Sequence, residues 1–440
     1  MSVQIAPWLA RSRWPTVPIR YVARVGTGHT PSRQHPEYWE NCTIPWMTLA
    51  DVWQLRDGTV PMITETAEKI SELGLANSAA VRHPAGTVIL SRTASVGFSA
   101  ILGTDMATSQ DFATWTCGAS LEPRYLLYGL RAMAPDLRRL TEGSTHKTIY
   151  MPDISQLRIP LPPREEQRRI ADYLDAETKR IDLLTALRRQ QLTLWMSRRR
   201  ALISLGTAGL LDEADQRTTN SHQYPAIPGT WRLSRIKYIT RKIGSGKTPL
   251  GGAESYVSDG VPLLRSQNIH SDGLRMDDVV RISGQTHHEM RGTAVHSWDV
   301  LLNITGASLG RCTFAPPDLG PANVNQHVCI LRVDTGVDAR YVALACASAA
   351  VQEQIDLVQV GGNRDGLNFE QVGNLEIAIP RLLEDQVRVR KNIMLGVSEV
   401  DQMIDLVNAQ LAVLAKRRQA LITAAVTGEI DVTTVRGRAI

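Results

Sequence analysis

The two halves of this chain carry the same run of landmarks in the same order, and such a chain folds as two related units. Gly26-Thr27-Gly28-His29-Thr30-Pro31 recurs as Gly244-Ser245-Gly246-Lys247-Thr248-Pro249, a shift of 218 residues, and Ile44-Pro45-Trp46-Met47 recurs as Val261-Pro262-Leu263-Leu264. Ser109-Gln110 meets Asn325-Gln326, and Arg124-Tyr125 meets Arg340-Tyr341. Leu157-Arg158-Ile159-Pro160-Leu161-Pro162 overlays Leu375-Glu376-Ile377-Ala378-Ile379-Pro380, and Glu165-Glu166-Gln167 overlays Glu384-Asp385-Gln386. Arg199-Arg200-Ala201-Leu202-Ile203 matches Arg418-Gln419-Ala420-Leu421-Ile422. A period this long is not a solenoid repeat; it is the size of a domain.

Each half reads as a variable globular stretch followed by one long helix. Over 1–163, short runs such as Thr87-Val88-Ile89-Leu90 sit between Gly and Pro, and a helical stretch near 124–133 interrupts them. This predicts a mixed α/β (α+β) domain. Pro160, Pro162 and Pro163 close it, because proline cannot continue a strand interior but is tolerated in a first helical turn. A spacer helix is expected over 164–206, where Pro is absent and Gly does not occur before Gly206, giving a rod of about 60 Å. A polar linker over 207–224, a second globular unit over 225–380, a second long helix over 381–428 and a tail over 429–440 complete the division.

The second helix carries an apolar seam: Ile393, Val397, Val400, Ile404, Val407, Leu411, Leu414 and Leu421 follow alternating steps of four and three, with Arg418 breaking the run. In the first helix the corresponding positions are Leu174, Ile181, Leu192, Trp195 and Leu202, interrupted by Thr178, Thr185 and Arg188. Two such helices in one chain can bury their seams on each other; the alternative is that each packs on its own globular unit.

Composition narrows the class. The 43% hydrophobic and 21% charged fractions are those of an ordinary globular chain. No apolar run approaches the ~20 residues that span a bilayer, and the first residues, with Pro7, Arg11 and Arg13, lack a signal-peptide core, so a cytoplasmic protein without membrane association is expected. Cys42, Cys117, Cys312, Cys329 and Cys346 form no Cys-x-x-Cys pair and read as reduced, mostly buried thiols. A net charge of +5 is compatible with a polyanionic partner.

Catalytic signatures are missing. Gly244-Ser245-Gly246-Lys247-Thr248 ends like a P-loop, but Arg241 stands where its first glycine belongs and the repeat copy has His29 in place of the lysine; a turn that positions the chain is the better reading. His287, His288 and His296 have no counterparts in the first half and no carboxylate or thiolate cluster to complete a metal site, so they read as surface histidines. There is no His-Glu-x-x-His and no Gly-rich cofactor loop. A chain that is not an enzyme, with no bound metal or cofactor, is expected.

Polar loops at matching places offer a different chemistry. Ser91 and Arg92 end a predicted strand in the first half, matched by Asn303 and Ile304 in the second, while Thr145, His146 and Lys147 are matched by Asn363 and Arg364. Arg and Asn can each grip a base edge through two hydrogen bonds, and Lys, Ser and Thr can hold phosphates. Ser91, Arg92, Thr145, His146, Lys147, Asn303, Asn363 and Arg364 are therefore the candidate DNA-binding residues; the alternative for each is a solvated turn. Two related but chemically different readers on a rigid spacer would suit a split, asymmetric DNA sequence.

Where Ile159-Pro160-Leu161-Pro162-Pro163 runs into Glu165-Glu166-Gln167-Arg168-Arg169-Ile170, the chain resembles the specificity subunit of type I restriction-modification systems. The Gly-x-Gly-x-Thr-Pro turns and Gly143-Ser144-Thr145 to Lys147-Thr148-Ile149 carry the likeness further, and it covers nearly the whole chain in both repeats. The second copy departs at Arg381-Leu382-Leu383 and at Arg364-Asp365-Gly366. The resemblance implies two target-recognition domains, each binding half of a bipartite site in double-stranded DNA, and an antiparallel coiled coil that fixes their separation. It implies two methyltransferase subunits, which methylate adenine N6 with S-adenosylmethionine, and motor-nuclease restriction subunits, which use ATP and Mg²⁺. All these cofactors would sit on the partners. The competing readings are a coiled-coil protein scaffold without DNA readout and a stand-alone nuclease.

Overall fold

The computed structural model describes residues 6–139, 148–211, 215–359 and 366–433. Two compact units emerge, one comprising 1–189 with 409–440 and the other 190–408, so the division falls within the long helices and not at their ends.

In the first unit, strands β1 (Ala23–Thr27), β2 (Val88–Ser91), β3 (Ser99–Leu102) and β4 (Phe112–Cys117) form a sheet in the order β1-β4-β2-β3, with the short strand Met62–Ile63 added parallel to β3. β2 and β3 are buried throughout because the sheet is covered on both faces. Alternation along β2 sends Val88 and Leu90 into a core with Leu126, Leu130 and Met133 of helix α1 (Pro123–Arg139), while Ile89 joins Met47, Val52 and Leu55 on the other face. A small mixed sheet places Ile44–Met47 between Glu68–Ile70, antiparallel, and Ala107–Thr108, parallel. The segment closes with β5 (Arg158–Pro160), paired with Thr16–Pro18, and then helix α2 (Arg164–Thr207).

The second unit repeats this plan. Strands β6 (Thr240–Ser245), β7 (Val300–Asn303), β8 (Cys312–Phe314) and β9 (Val328–Val333) lie in the order β6-β9-β7-β8. Val261–Leu264 sits between Val280–Ile282 and Asn323–Val324 with the same mixed polarity as its counterpart. Helix α3 (Ala339–Cys346), strand β10 (Glu376–Pro380) and helix α4 (Leu383–Thr427) follow. The expected linker is partly structured: Gln216–Thr218 pairs with Ala226–Pro228.

Neither helix packs on its own globular unit alone. Ile170 and Leu174, early in α2, enter the first unit's core, whereas Ile203, near its end, enters the second's. α4 does the reverse: Val389, Ile393 and Val397 belong to the second core, and Ile422, Ala425 and Val426 to the first. Within each unit the helices run antiparallel, joined by Arg418–Asp182 at 2.9 Å in the first and Arg199–Asp401 at 2.7 Å in the second. Arg199 and Arg418 occupy the same seam position, so the arginine that breaks one stripe breaks both. Leu174, Ile181, Val397, Val400 and Val407 are buried, and Leu192, Trp195, Leu202, Ile404, Leu411, Leu414 and Leu421 half-buried. Thr178 and Thr185 are tolerated on the seam because each hydroxyl donates to the carbonyl four residues back, Leu174 at 2.6 Å and Ile181 at 2.8 Å.

The matched motifs turn out to be fasteners. Gln167, fully buried, accepts from Glu122 N–H at 2.8 Å and donates to the Ser120 and Pro162 carbonyls at 2.9 Å each. Gln386 accepts from Asp338 N–H at 2.9 Å and donates to Pro380 O at 3.0 Å. The Tyr125 hydroxyl lies 3.0 Å from Pro160 O and 3.1 Å from Val426 O at the end of α4. Tyr341 does the same for Ala378 O, at 2.8 Å, and Thr207 O, at 3.2 Å, at the end of α2. Each unit is thus pinned to the start of one long helix and the finish of the other.

Candidate nucleic-acid interface

The two Gly-x-Gly-x-Thr-Pro turns set the geometry of this face. A Cβ on Gly28 would lie 1.7 Å from Thr108 O, and one on Gly246 1.6 Å from Val324 O, so the chain passes these strands at a distance no other residue permits. The crossing delivers Thr30 to Gln110, with Oγ1 donating to Oε1 at 2.7 Å, and Thr248 to Gln326. No helix follows Lys247: the next element is the 3₁₀ turn Gly252–Ser255, so a P-loop's phosphate cradle is not formed there.

In the first unit the end of β2 bends over this pair. Arg92 N–H donates to Asp111 O at 2.9 Å, the Thr93 hydroxyl donates to the Asp111 carboxylate, and Ser109 Oγ donates to the same carboxylate at 3.0 Å. Ile149 N–H donates to Arg92 O at 2.8 Å, and Thr93 bridges Thr148. The half-buried Arg92 guanidinium is 3.4 Å from Ile149 O through Nη1, and its Nε–H meets no acceptor among the described residues. Ala94 beside it holds φ at +52°, an unfavourable conformation for a residue with a Cβ.

The second unit repeats the backbone and changes the chemistry. Ile304 N–H donates to His327 O at 3.0 Å, Leu367 N–H donates to Ile304 O at 2.8 Å, and Thr305 bridges Gly366. The Thr305 hydroxyl is 2.6 Å from His327 Nδ1, and Gln326 Nε2 is 3.1 Å from His327 Nε2. Ile304 therefore replaces Arg92, and His327 replaces Asp111, on one frame.

Of the sequence candidates, Arg92 reaches this face. Ser91 and Asn303 do not: both are fully buried, as the last residues of strands β2 and β7, which are buried along their whole length. Asn303 Nδ2 donates to Ser266 O at 2.9 Å and to Ser308 Oγ at 3.0 Å, which makes it a loop support and corrects its assignment as a DNA contact. Thr145, His146, Lys147, Asn363 and Arg364 lie outside the described residues; Thr148 pairs with Thr93, and Gly366 with Thr305. Sequence reasoning passed over Thr30, Gln110, Asp111, Thr248, Gln326 and His327. The signal was present, since Ser109-Gln110 and Asn325-Gln326 recur in step with the glycine turns. His287 is half-buried and bonded to Asn323, while His288 and His296 are exposed; among the described residues no three potential ligands converge on a metal position.

Residues 11–194 match the family model of the type I restriction modification DNA specificity domain. This stretch of the chain is similar to a type I specificity domain. Among similar proteins, the type I restriction enzyme MjaIX specificity subunit of Methanocaldococcus jannaschii is 29% identical over 163 residues, which are 37% of either chain. The EcoBI specificity subunit of Escherichia coli is 23% identical over 319 residues, 70% of this chain and 65% of that one, so the match spans less than two thirds of either relative. A solved chain from work on complex assembly and conformational transition of the type I R-M system shares the fold, with a TM-score of 0.67 at 17% identity, covering 95% of this chain and 98% of that chain. No helix among the described residues is long and apolar enough to cross a membrane.

Proposed function

We propose that this chain recognises a bipartite, asymmetric site in double-stranded DNA and is itself non-catalytic. Each unit reads one half-site with the face built on its glycine turn and its strand-end loop. The observation that carries this reading is the pairing of identical fasteners with unlike faces: Gln167 and Gln386, and Tyr125 and Tyr341, are kept, whereas Arg92 and Asp111 give way to Ile304 and His327. A structural scaffold has no use for that contrast; two readers of different sequences require it.

Two methyltransferase subunits would dock on the paired helices and methylate adenine N6 in each half-site with S-adenosylmethionine, and restriction subunits using ATP and Mg²⁺ would join them. The protein works in the cytoplasm, where host DNA is available. Co-expression with the methyltransferase partner, followed by single-molecule sequencing of host DNA, should reveal a split motif with N6-methyladenine in both halves. A continuous motif would refute the two-reader reading. DNA affinity independent of salt would favour the protein scaffold, because phosphate contacts make log affinity fall with log salt.

A further inference from the structure

A small cleft in the first unit gathers four arginines. It has a volume of about 130 Å³ and is bordered by Arg56, Asp57 and Gly58, by Phe98, by Arg131 and Arg138 of α1, and by Arg418 of α4. Both nearby carboxylates are already engaged: Asp182 takes Arg418 at 2.9 Å, and Asp57 accepts from Thr59 N–H at 3.0 Å and Thr59 Oγ1 at 2.7 Å. Arg131 is different. It is 9% exposed, donates to Val60 O at 2.8 Å, and has no carboxylate at ion-pair distance among the described residues. Burial and the neighbouring Arg418 push its pKa down to about 10, and Tyr128, Asp182 and Asp175 offset this only in part. A buried guanidinium without a directly paired counter-charge is costly, and the cost is reduced when an anion joins it.

We propose that this cleft is a phosphate-binding site, with Arg131 at its floor and Arg56, Arg138 and Arg418 around it. Its volume has room for one phosphate group, and the guanidinium groups around it supply the matching charge and donors. The site belongs to the first unit alone among the matched positions. Counting from the pairs Arg124-Tyr125 and Arg340-Tyr341, Ala347 stands where Arg131 stands, although Arg199 and Asp401 preserve the neighbouring ion pair. The matched scaffold does without an arginine at this position, so a buried Arg131 with no ion-pair partner among the described residues points to a ligand. The phosphate is either a DNA backbone group, which rests on the DNA-recognition reading, or a free phosphate ion, which does not.

The test uses the full chain. Inorganic phosphate, titrated against chloride at constant ionic strength, should give saturable hydrogen-exchange protection at 55–60, 128–138 and 415–420, and none at 344–350. Arg131→Met should abolish that protection while keeping the fold, and Arg56→Gln, at the exposed rim, should weaken it severalfold. Absence of protection in the parent chain, equal protection by chloride, or undiminished protection in Arg131→Met would overturn the proposal. DNA binding then identifies the source. If a backbone phosphate occupies the cleft, Arg131→Met lowers the slope of log affinity against log salt by about one and leaves sequence preference unchanged. If a free ion occupies it, that slope is unchanged and phosphate protection persists with DNA bound. A chain that takes phosphate in the cleft but binds no DNA would sink the functional reading and leave the site standing.

Discussion

Replacing Gln167 with leucine keeps the volume and removes the amide. Three backbone groups lose their partners: Glu122 N–H at 2.8 Å, and the Ser120 and Pro162 carbonyls at 2.9 Å each. An unpaired buried group costs about 1–3 kcal/mol, the N–H more than a carbonyl with a spare lone pair, and the leucine recovers part of this through its own burial. A net loss of about 3 kcal/mol follows. For a unit of this size each kcal/mol moves the thermal midpoint by roughly 2–4 °C, so Gln167→Leu should melt the first unit roughly 6–12 °C earlier. Gln386→Leu strips two groups, Asp338 N–H and Pro380 O, and should cost less. Calorimetry combined with hydrogen exchange at 118–126 and 334–342 assigns each loss to its unit. A shift below about 1 °C for Gln167→Leu would mean that water replaces the amide without penalty and that the motif does not fasten the helix as argued.

Four further outcomes follow from the same geometry. Gly28→Ala and Gly246→Ala force a Cβ to within 1.7 and 1.6 Å of a backbone oxygen, so each should cost at or above the ~3 kcal/mol upper end of ordinary overpacking, read by urea denaturation, and disable its own half-site in a binding assay. Tyr125→Phe and Tyr341→Phe remove a hydroxyl shared by two carbonyls and should each cost ~1 kcal/mol by the same measure. His83 is 4% exposed, and burial, helped by Arg24, lowers its pKa from 6.5 to about 4. The unfolded chain therefore takes up a proton that the folded one refuses: stability should hold above pH ~6.5 and fall as pH drops towards ~4, by up to ~3 kcal/mol, and His83→Leu should flatten that limb of the thermal midpoint against pH. Arg92→Ala should cost ~1–3 kcal/mol of DNA binding and relax one half-site, and an unchanged methylation motif would show that Arg92 reads no base.

The scaffold was legible because its signals are local. Prolines 160, 162 and 163 precede α2, which begins at Arg164, and α4 begins at Leu383, three residues after Pro380. The four-three stripe marks the face each helix buries. What the stripe could not show is why Thr178 and Thr185 belong to it, since that depends on each hydroxyl returning to its own helix carbonyl. Nor could a single helix reveal that its two ends lie in different cores, because the residues that complete each core come from the distant half of the chain.

The interface was harder to read for a reason that follows from its function. A one-residue error is decisive at a strand end: Ser91, the last residue of β2, is fully buried, whereas Arg92 just beyond it is half-buried and reaches this face. Residues that hold the frame must satisfy the same backbone groups in both units, so duplication preserves them and comparison of the halves finds them, as with Gln167 and Gln386. Residues that read different sequences must differ, so the same comparison passes over them. Asp111 and His327 occupy one position, each carrying its strand-end threonine, and under the proposed function their divergence would make them readers and not fasteners. Exchanging them tests that distinction. Asp111→His together with His327→Asp should leave both thermal midpoints within a few degrees while altering the preferred bases of both half-sites. Loss of folding with no change of motif would place the pair among the fasteners.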